Sequence, residues 1–459
     1  MLTELRLQNF KSWEDTGPIR LASISGFFGS NSSGKTSLLQ ALLLLKQTAE
    51  STDRSRVLHL GDERAYVDLG TLPDVIFAHQ LPATMTFDLS WGLSKSLRIL
   101  DPEGSATLFR IDGFDFHAAL AGDSKGLQVE EFTTRFSSEG EERRFGMTRR
   151  TANVNGSQAR SEYEIVAEGY ELKRNRGRLW ALPAPVKFYG FPDQVNAYYQ
   201  NAGFLSELSL ALEEALQGIY YLGPLREYPH RIYGWAGEQP VDVGRRGELA
   251  IPALLAGERK GRIISRGRGR LKQTATERVT QWLRDLGLIH SFSVRPIAEN
   301  RKEYEVRVKR SATSTEVALT DVGFGVSQIL PVLTLCYYAP EGSTLILEQP
   351  EIHLHPSVQA GLADVFIDAV KTRKIQIILE SHSEHLLRRI QRRIAEEKLD
   401  SQQSALYFVT TDEGRSLIDR LEIDLFGNVT NWPENFFGDE LGELVAMTDA
   451  AMARQMKGS

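Results

Sequence analysis

A single cysteine, Cys336, stands in 459 residues, so no intramolecular disulfide can staple this chain. It follows the apolar run Val332-Leu333-Thr334-Leu335, where a thiol serves as a small core residue. No uninterrupted apolar run approaches the roughly 20 residues that span a bilayer. The opening residues Met1–Phe10 lack the basic-then-apolar pattern of a signal peptide. A cytoplasmic protein with no membrane partner is the expectation. Positive charge is not in excess either: 54 lysines and arginines against 60 aspartates and glutamates leave a net charge of −6. Any nucleic-acid contact must then come from a local patch. No heptad pattern persists, which argues against long coiled-coil arms, and no internal repeat is visible. What is present is the balance of an ordinary folded protein, 41% hydrophobic and 25% charged, long enough for one large core or two modest ones.

The texture changes along the chain. In residues 1–95, Leu5 and Leu7 alternate with polar neighbours, and Ile19-Arg20-Leu21 and Ser23-Ile24-Ser25 lead into a glycine loop. The spacing then predicts a helix from Thr36 to Lys46. Its Leu38, Leu39, Leu42, Leu43 and Leu45 are too many for a surface position, so burial on most sides is expected. Residues 96–310 read as an inserted α+β lobe of short alternating stretches broken by glycine and charge clusters, with helical pieces near 204–216 and 276–286. In residues 311–425, Thr344–Leu347 and Ile375–Leu379 read as buried parallel strands. A helix between them carries Val358, Leu362, Val365, Phe366 and Ala369 on one face. Residues 426–459 form a tail in which Leu441, Leu444, Val445 and Met452 recur at helical spacing, suited either to docking on its own head or to binding a partner.

Gly29-Ser30-Asn31-Ser32-Ser33-Gly34-Lys35-Thr36 fits G-x-x-x-x-G-K-[ST], with Ser37 next in the helix behind it. A triphosphate needs backbone N–H groups pointing inward, and glycines let the chain take that curve. The helix N-terminus adds positive potential, the Lys35 ammonium suits the β- and γ-phosphates, and the Thr36 hydroxyl suits Mg²⁺. ATP and Mg²⁺ are therefore the expected ligands. The predicted fold class is α/β, a P-loop NTPase head interrupted by the large α+β lobe.

Such a site needs a carboxylate at the end of a buried strand to position the metal, and Glu348, closing Leu345-Ile346-Leu347, supplies one. About thirty residues on, His382 follows a second strand and could sense the γ-phosphate through one hydrogen bond. Upstream, Gly323, Gly325, Ser327 and Gln328 precede an apolar helix and form a second anion site. One protomer cannot bring both anion sites to the same triphosphate. A head-to-tail dimer, with ATP clamped between the two copies, is the arrangement expected.

Taken in order, these segments resemble the RecF/OLD-like branch of ABC ATPases found in DNA maintenance and phage defence. The resemblance rests on Asn9-Phe10-Lys11-Ser12, the Gly29–Thr36 loop, Gly323–Gln328, Gln349-Pro350-Glu351-Ile352-His353-Leu354-His355-Pro356 and Glu380-Ser381-His382-Ser383-Glu384-His385-Leu386. Tyr221-Leu-Gly-Pro-Leu-Arg226, Arg231-Ile-Tyr233 and Asn431-Trp-Pro-Glu-Asn-Phe-Phe437 are similar to a bacterial defence subgroup that includes the Septu-type ATPase subunit, which partners an HNH nuclease. The match covers roughly the first 70 and last 150 residues and is weaker across the lobe. It implies an ABC-type head with Lys35 on phosphates, Thr36 and Glu348 on magnesium, Gly323–Gln328 as the signature acting in trans, and His382 as the switch histidine. It further implies dimerising heads and a separate nuclease.

One departure bears on catalysis. The family ends this strand in an Asp-Glu pair whose Glu polarises the attacking water; this chain has Glu348-Gln349. A neutral amide cannot accept a proton, and losing a general base typically costs about 10²–10⁴ in rate. Either Glu351 substitutes, or hydrolysis is slow and ATP acts mainly as a binding switch.

Three other readings stand beside this one. His353, His355, His382 and His385 near Glu348, Glu351, Glu380 and Glu384 could make a metal-dependent hydrolase site, although His353 and His355 flank a leucine in the family's dimer-contact loop. Arg259, Lys260, Arg262, Arg266, Arg268, Arg270 and Lys272 could follow a DNA backbone, or form a solvated basic loop. A RecF-like repair protein without an effector is the remaining alternative.

Overall fold

The computed structural model describes all residues except 102–105, 153–159, 178–180, 262, 266–271, 434–439 and 458–459. The chain enters through β1 (Leu2–Phe10), which buries Leu2, Leu5, Leu7 and Phe10 while the residues between stay partly exposed. After two short strands it forms β2 (Ile24–Gly29), buried throughout, the phosphate-loop sequence, and α1 (Lys35–Glu50). Five long strands follow, β3 (Ala83–Leu100), β4 (Thr107–Asp123), β5 (Gly126–Ser138), β6 (Glu141–Ala152) and β7 (Arg160–Glu168). They pair antiparallel in sequence order, and β3 pairs antiparallel with β1, so this sheet grows directly from the N-terminal strand. Sequential hairpins are the shortest connection available to such strands.

The chain returns through α2 (Phe204–Gln217) into β8 (Ile219–Leu222). The last third runs α3 (Phe324–Tyr338), β9 (Thr344–Glu348), α4 (Pro356–Arg373), β10 (Gln376–Glu380), α5 (Glu384–Ala395), β11 (Ser404–Asp412) and β12 (Arg415–Arg420). A six-stranded sheet forms in the order β8-β9-β10-β2-β11-β12, parallel except for the edge strand β12.

Alternation along these strands sorts residues into two cores. Ile346, Ile378 and Tyr407 join the leucines of α1 and the faces of α2 and the antiparallel sheet. Leu345, Leu347, Ile377, Leu379 and Phe408 join α3, α4 and α5 on the other side. A sheet covered on both faces needs near-continuous apolar strands, and β9 and β10 are buried at every position. Helix α1 is as enclosed as its leucine content predicts, with Leu38, Leu39, Leu42, Leu43, Leu44 and Leu45 all within 1% exposure.

Strand β3 crosses from residue 95 to 96 without a break, because the strand that pairs with β1 runs on past that point. Within 96–310, β8 pairs with β9 and forms the edge of the parallel sheet, a long-range pairing that local pattern could not reveal. The tail helix α6 (Glu440–Lys457) forms where spacing placed it. Its Val445 and Met452 are exposed, and the side chains of Leu441 and Leu444 lie outside the described residues. Among the described residues no helix is long and apolar enough to cross a membrane.

Candidate functional site

Parallel register brings three strand ends to one edge. Glu348 on β9 lies opposite Glu380 on β10, and Glu380 lies opposite Phe27 on β2. The phosphate loop leaves β2 at this edge. Gly29 takes φ 136°, and a β-carbon there would sit 2.0 Å from the Val409 carbonyl oxygen of β11. Gly34 takes φ 99°, and its β-carbon would meet the Ser416 and Ser12 hydroxyls at 2.2 and 2.8 Å. Both positions exclude a side chain for steric reasons as well as conformational ones.

The Lys35 ammonium turns back into the loop, donating to the carbonyls of Gly29 at 3.1 Å and Ser30 at 2.6 Å. Burial lowers its pKa. Ser33 closes the loop on the Ser30 carbonyl at 2.9 Å. Burial and then Lys35 lower the pKa of the His382 ring, favouring the neutral imidazole, while the Gly29 main chain acts to raise it. The His382 main-chain N–H donates to Glu351 Oε1 at 2.7 Å. Glu351 is 6% exposed, and its Oε2 has no hydrogen-bond partner.

The Thr36 hydroxyl was expected beside Glu348. It donates instead to Glu380 Oε2 at 2.7 Å. The reason is the strand order: β10 adjoins β2, whereas β9 lies one strand further out, and each step is about 4.8 Å. Glu348 accepts from the Tyr221 hydroxyl at 3.2 Å, and its carbonyl accepts from Arg226 at 3.4 Å. Burial, with Glu380 as the second cause, pushes the Glu348 carboxyl up to about 7. The Glu380 carboxyl is also raised, mainly by burial and against the hydrogen bond from Thr36. Gln349 holds φ 42°, its N–H donates to the Glu380 carbonyl at 2.9 Å, and its side-chain amide acts to lower the Glu380 pKa against the effect of burial.

Sequence reasoning gave no role to Glu380, Tyr221 or Arg226 in the nucleotide site. The signal for Glu380 was present, since Ile377-Ile378-Leu379-Glu380 repeats the pattern of Leu345-Ile346-Leu347-Glu348. Arg226 had no local signal. It is 6% exposed with Nη1 unpartnered, and burial lowers its pKa to about 10.

The segment 323–328 stands apart from the phosphate loop. Gly323 and Phe324 are exposed, and the Phe324 ring packs on His353 at 5.4 Å and on Tyr228 at 5.7 Å. Ser327 and Gln328 are buried in the first turns of α3, with the Ser327 hydroxyl on the Phe324 carbonyl at 2.7 Å. Among the described residues no hydrogen bond joins 323–328 to the phosphate loop.

The histidines have other work. His355 caps α4, accepting from Ser357 N–H, and His353 packs on Phe324. Among the described residues no three His, Cys, Asp or Glu side chains gather as a metal cluster. In the basic segment, Arg259 ends a helix spanning Ala250–Arg259, while Arg262, Arg266, Arg268 and Arg270 lie outside the described residues.

Residues 269–387 match a family model described as an AAA ATPase domain, and residues 399–447 match one described as a protein of unknown function, DUF3696. No curated protein matches the chain. Among solved structures, an SMC head bound to the C-winged helix domain of ScpA is 13% identical, with 92% of this chain and 98% of that chain covered and a TM-score of 0.44. The SMC head domain from Thermotoga maritima is 12% identical, covering 92% and 99%, at 0.40. An SMC head with an extended coiled coil, bound to the C-terminal domain of ScpA from Pyrococcus furiosus, is 11% identical, covering 92% and 96%, at 0.42. Strand order, loop and family match together define a P-loop NTPase with an ABC-type head. Within it, residues 269–387 are the part similar to an ATPase domain.

Proposed function

We propose that the chain binds ATP with Mg²⁺ at Gly29–Ser37, closes head to tail on a second copy, and uses that closure to control a separate effector. One observation carries the reading: the Thr36 hydroxyl, the Lys35 ammonium and the strand-end Glu380 carboxylate meet at one loop, with His382 beside Lys35. The donor set suits a hard divalent ion, with a threonine hydroxyl against buried glutamates. Thr36 and a carboxylate at the strand edge would hold the magnesium. When bound, it neutralises charge on the β- and γ-phosphate oxygens.

Lys35 would exchange its loop carbonyls for phosphate oxygens, and Gly29–Gly34 would offer N–H groups. A cleft of about 930 Å³ lined in part by Lys11, Ser12, Ser37 and Arg415 lies beside the loop and offers room for the nucleoside. His382 stands beside Lys35 and its main-chain N–H is tied to Glu351, which links phosphate contact to the strand edge. Gln349 supplies no base, so either Glu351, with its unpartnered Oε2, accepts the proton from water, or turnover is slow and ATP acts mainly as a binding switch. Exposed Gly323 and Phe324 support a second copy completing the site with Gly323, Gly325, Ser327 and Gln328.

The effector step rests on the motif resemblance alone: a phage-defence role with an HNH-type nuclease as partner. DNA contact through Arg259–Lys272 is proposed on its charge. The test is copurification of the chain with its neighbouring gene products, with and without ATP, beside nucleotide binding by wild type and Lys35→Ala. Lys35→Ala is expected to abolish binding. Unchanged affinity would refute the site, and no ATP-dependent partner would refute the effector reading.

A further inference from the structure

Two carboxylates stand at the strand edge, and three observations separate them. Thr36 belongs to the first turn of α1, over the end of β2, and its hydroxyl is bonded to Glu380 at 2.7 Å. Glu348 stands one strand further away, so it reaches Thr36 only across an additional spacing of about 4.8 Å. Its carboxylate is meanwhile tied to Tyr221 of β8 on the side away from β2, and its carbonyl is held by Arg226.

The third observation concerns position 349. The Gln349 main-chain N–H donates to the Glu380 carbonyl at 2.9 Å, and its side-chain amide favours the ionised form of the Glu380 carboxyl. The Thr36 hydroxyl thus holds the Glu380 carboxylate toward the phosphate loop, and Gln349 is tied to the same residue through the main chain. An ionised acid at 349 could donate nothing and would set a third negative charge beside Glu348 and Glu380. The amide at 349 and the acid at 380 form a matched pair.

We propose that Glu380, oriented by the Gln349 amide, is the carboxylate that acts with Thr36 on magnesium in this chain, and that Glu348 is a neighbour held back by Tyr221. The proposal rests on the nucleotide-binding reading given above. It makes Gln349 a positioning residue acting through Glu380. It also moves the metal carboxylate from β9 to β10, one strand nearer the phosphate loop.

The experiment measures binding of a fluorescent ATP analogue to the full chain while Mg²⁺ is titrated, and again in EDTA. Glu380→Gln keeps the side-chain shape and an acceptor for Thr36. It is expected to raise the half-saturating Mg²⁺ concentration by about tenfold or more, and by several-fold more than Glu348→Gln, with binding in EDTA little changed. Glu380→Asp should recover part of the loss. Gln349→Leu, which removes the orienting amide, should shift the Mg²⁺ requirement in the same direction by a smaller factor.

A larger shift in Glu348→Gln than in Glu380→Gln would overturn the proposal while leaving the nucleotide site intact. So would an equal loss in EDTA and in Mg²⁺, which would mark Glu380 as structural. Wild-type binding that does not depend on Lys35 would instead remove the nucleotide reading itself, and this proposal with it. Circular dichroism of each variant confirms that the fold is retained.

Discussion

Gly29 shows how tightly one residue can be specified. Its positive φ would strain any other residue, and the Val409 carbonyl occupies the place where a β-carbon would go. Gly29→Ala is therefore expected to abolish ATP-analogue binding and to lower the melting temperature, since the β2–β11 ladder must part to admit the methyl group. Glu348 gives a pH prediction. Its carboxyl is raised to about 7 by burial and then by Glu380, against about 4.3 in an unfolded chain. Between those values the folded state holds the extra proton, so this contribution to stability is present at low pH and is lost as pH rises through about 7. The melting temperature should fall over that window, and Glu348→Gln should flatten the fall. An unchanged slope in the variant would show that Glu348 is not the group responsible.

At the scale of elements, the two sheets are joined by one fully buried amide. Gln376 opens β10 and accepts from Leu2 N–H and the Thr344 hydroxyl, each at 3.0 Å. It donates to the carbonyls of Leu2 at 2.6 Å and Ala22 at 3.0 Å. All its hydrogen-bonding capacity is used at 0% exposure. Gln376→Leu would leave these groups unpaired in the core and should cost roughly 2–4 kcal/mol, read by urea unfolding. A second junction lies at the hairpin of β11 and β12. Ser416 N–H donates to the Ser12 carbonyl, the two hydroxyls meet at 2.7 Å, and Arg415 pairs with Glu14 at 2.6 Å. This hairpin, inside the 399–447 match, presses on Gly34 and so braces the phosphate loop. On the antiparallel sheet Arg143, Arg144, Arg149 and Arg150 all pair with glutamates of the same sheet.

For the whole molecule the expected act is association. Gly323 is exposed with ordinary φ, and a β-carbon there meets nothing. Gly323→Glu should therefore leave the monomer's melting temperature unchanged while its negative charge opposes a partner's triphosphate. Sedimentation with ATP and Mg²⁺ should show dimer for wild type and monomer for this variant. Equal dimer in both would remove residues 323–328 from the interface. Patterns already visible in the sequence reach this scale unevenly. The phosphate loop, the buried α1 and the strands ending at Glu348 and Glu380 announce themselves through local spacing. The pairings of β8 with β9 and of β1 with β3 join residues far apart in sequence and have no local trace.

By itself, then, the sequence determined which residues can meet a triphosphate, because glycine curvature, lysine charge and a threonine hydroxyl are properties of the residues in order. It also determined that Gln349 cannot act as a base. Only the tertiary structure decided which acid stands beside Thr36. Two strand ends with the same apolar-then-acid pattern are equivalent until the sheet order puts β10, and not β9, next to the strand that carries the loop.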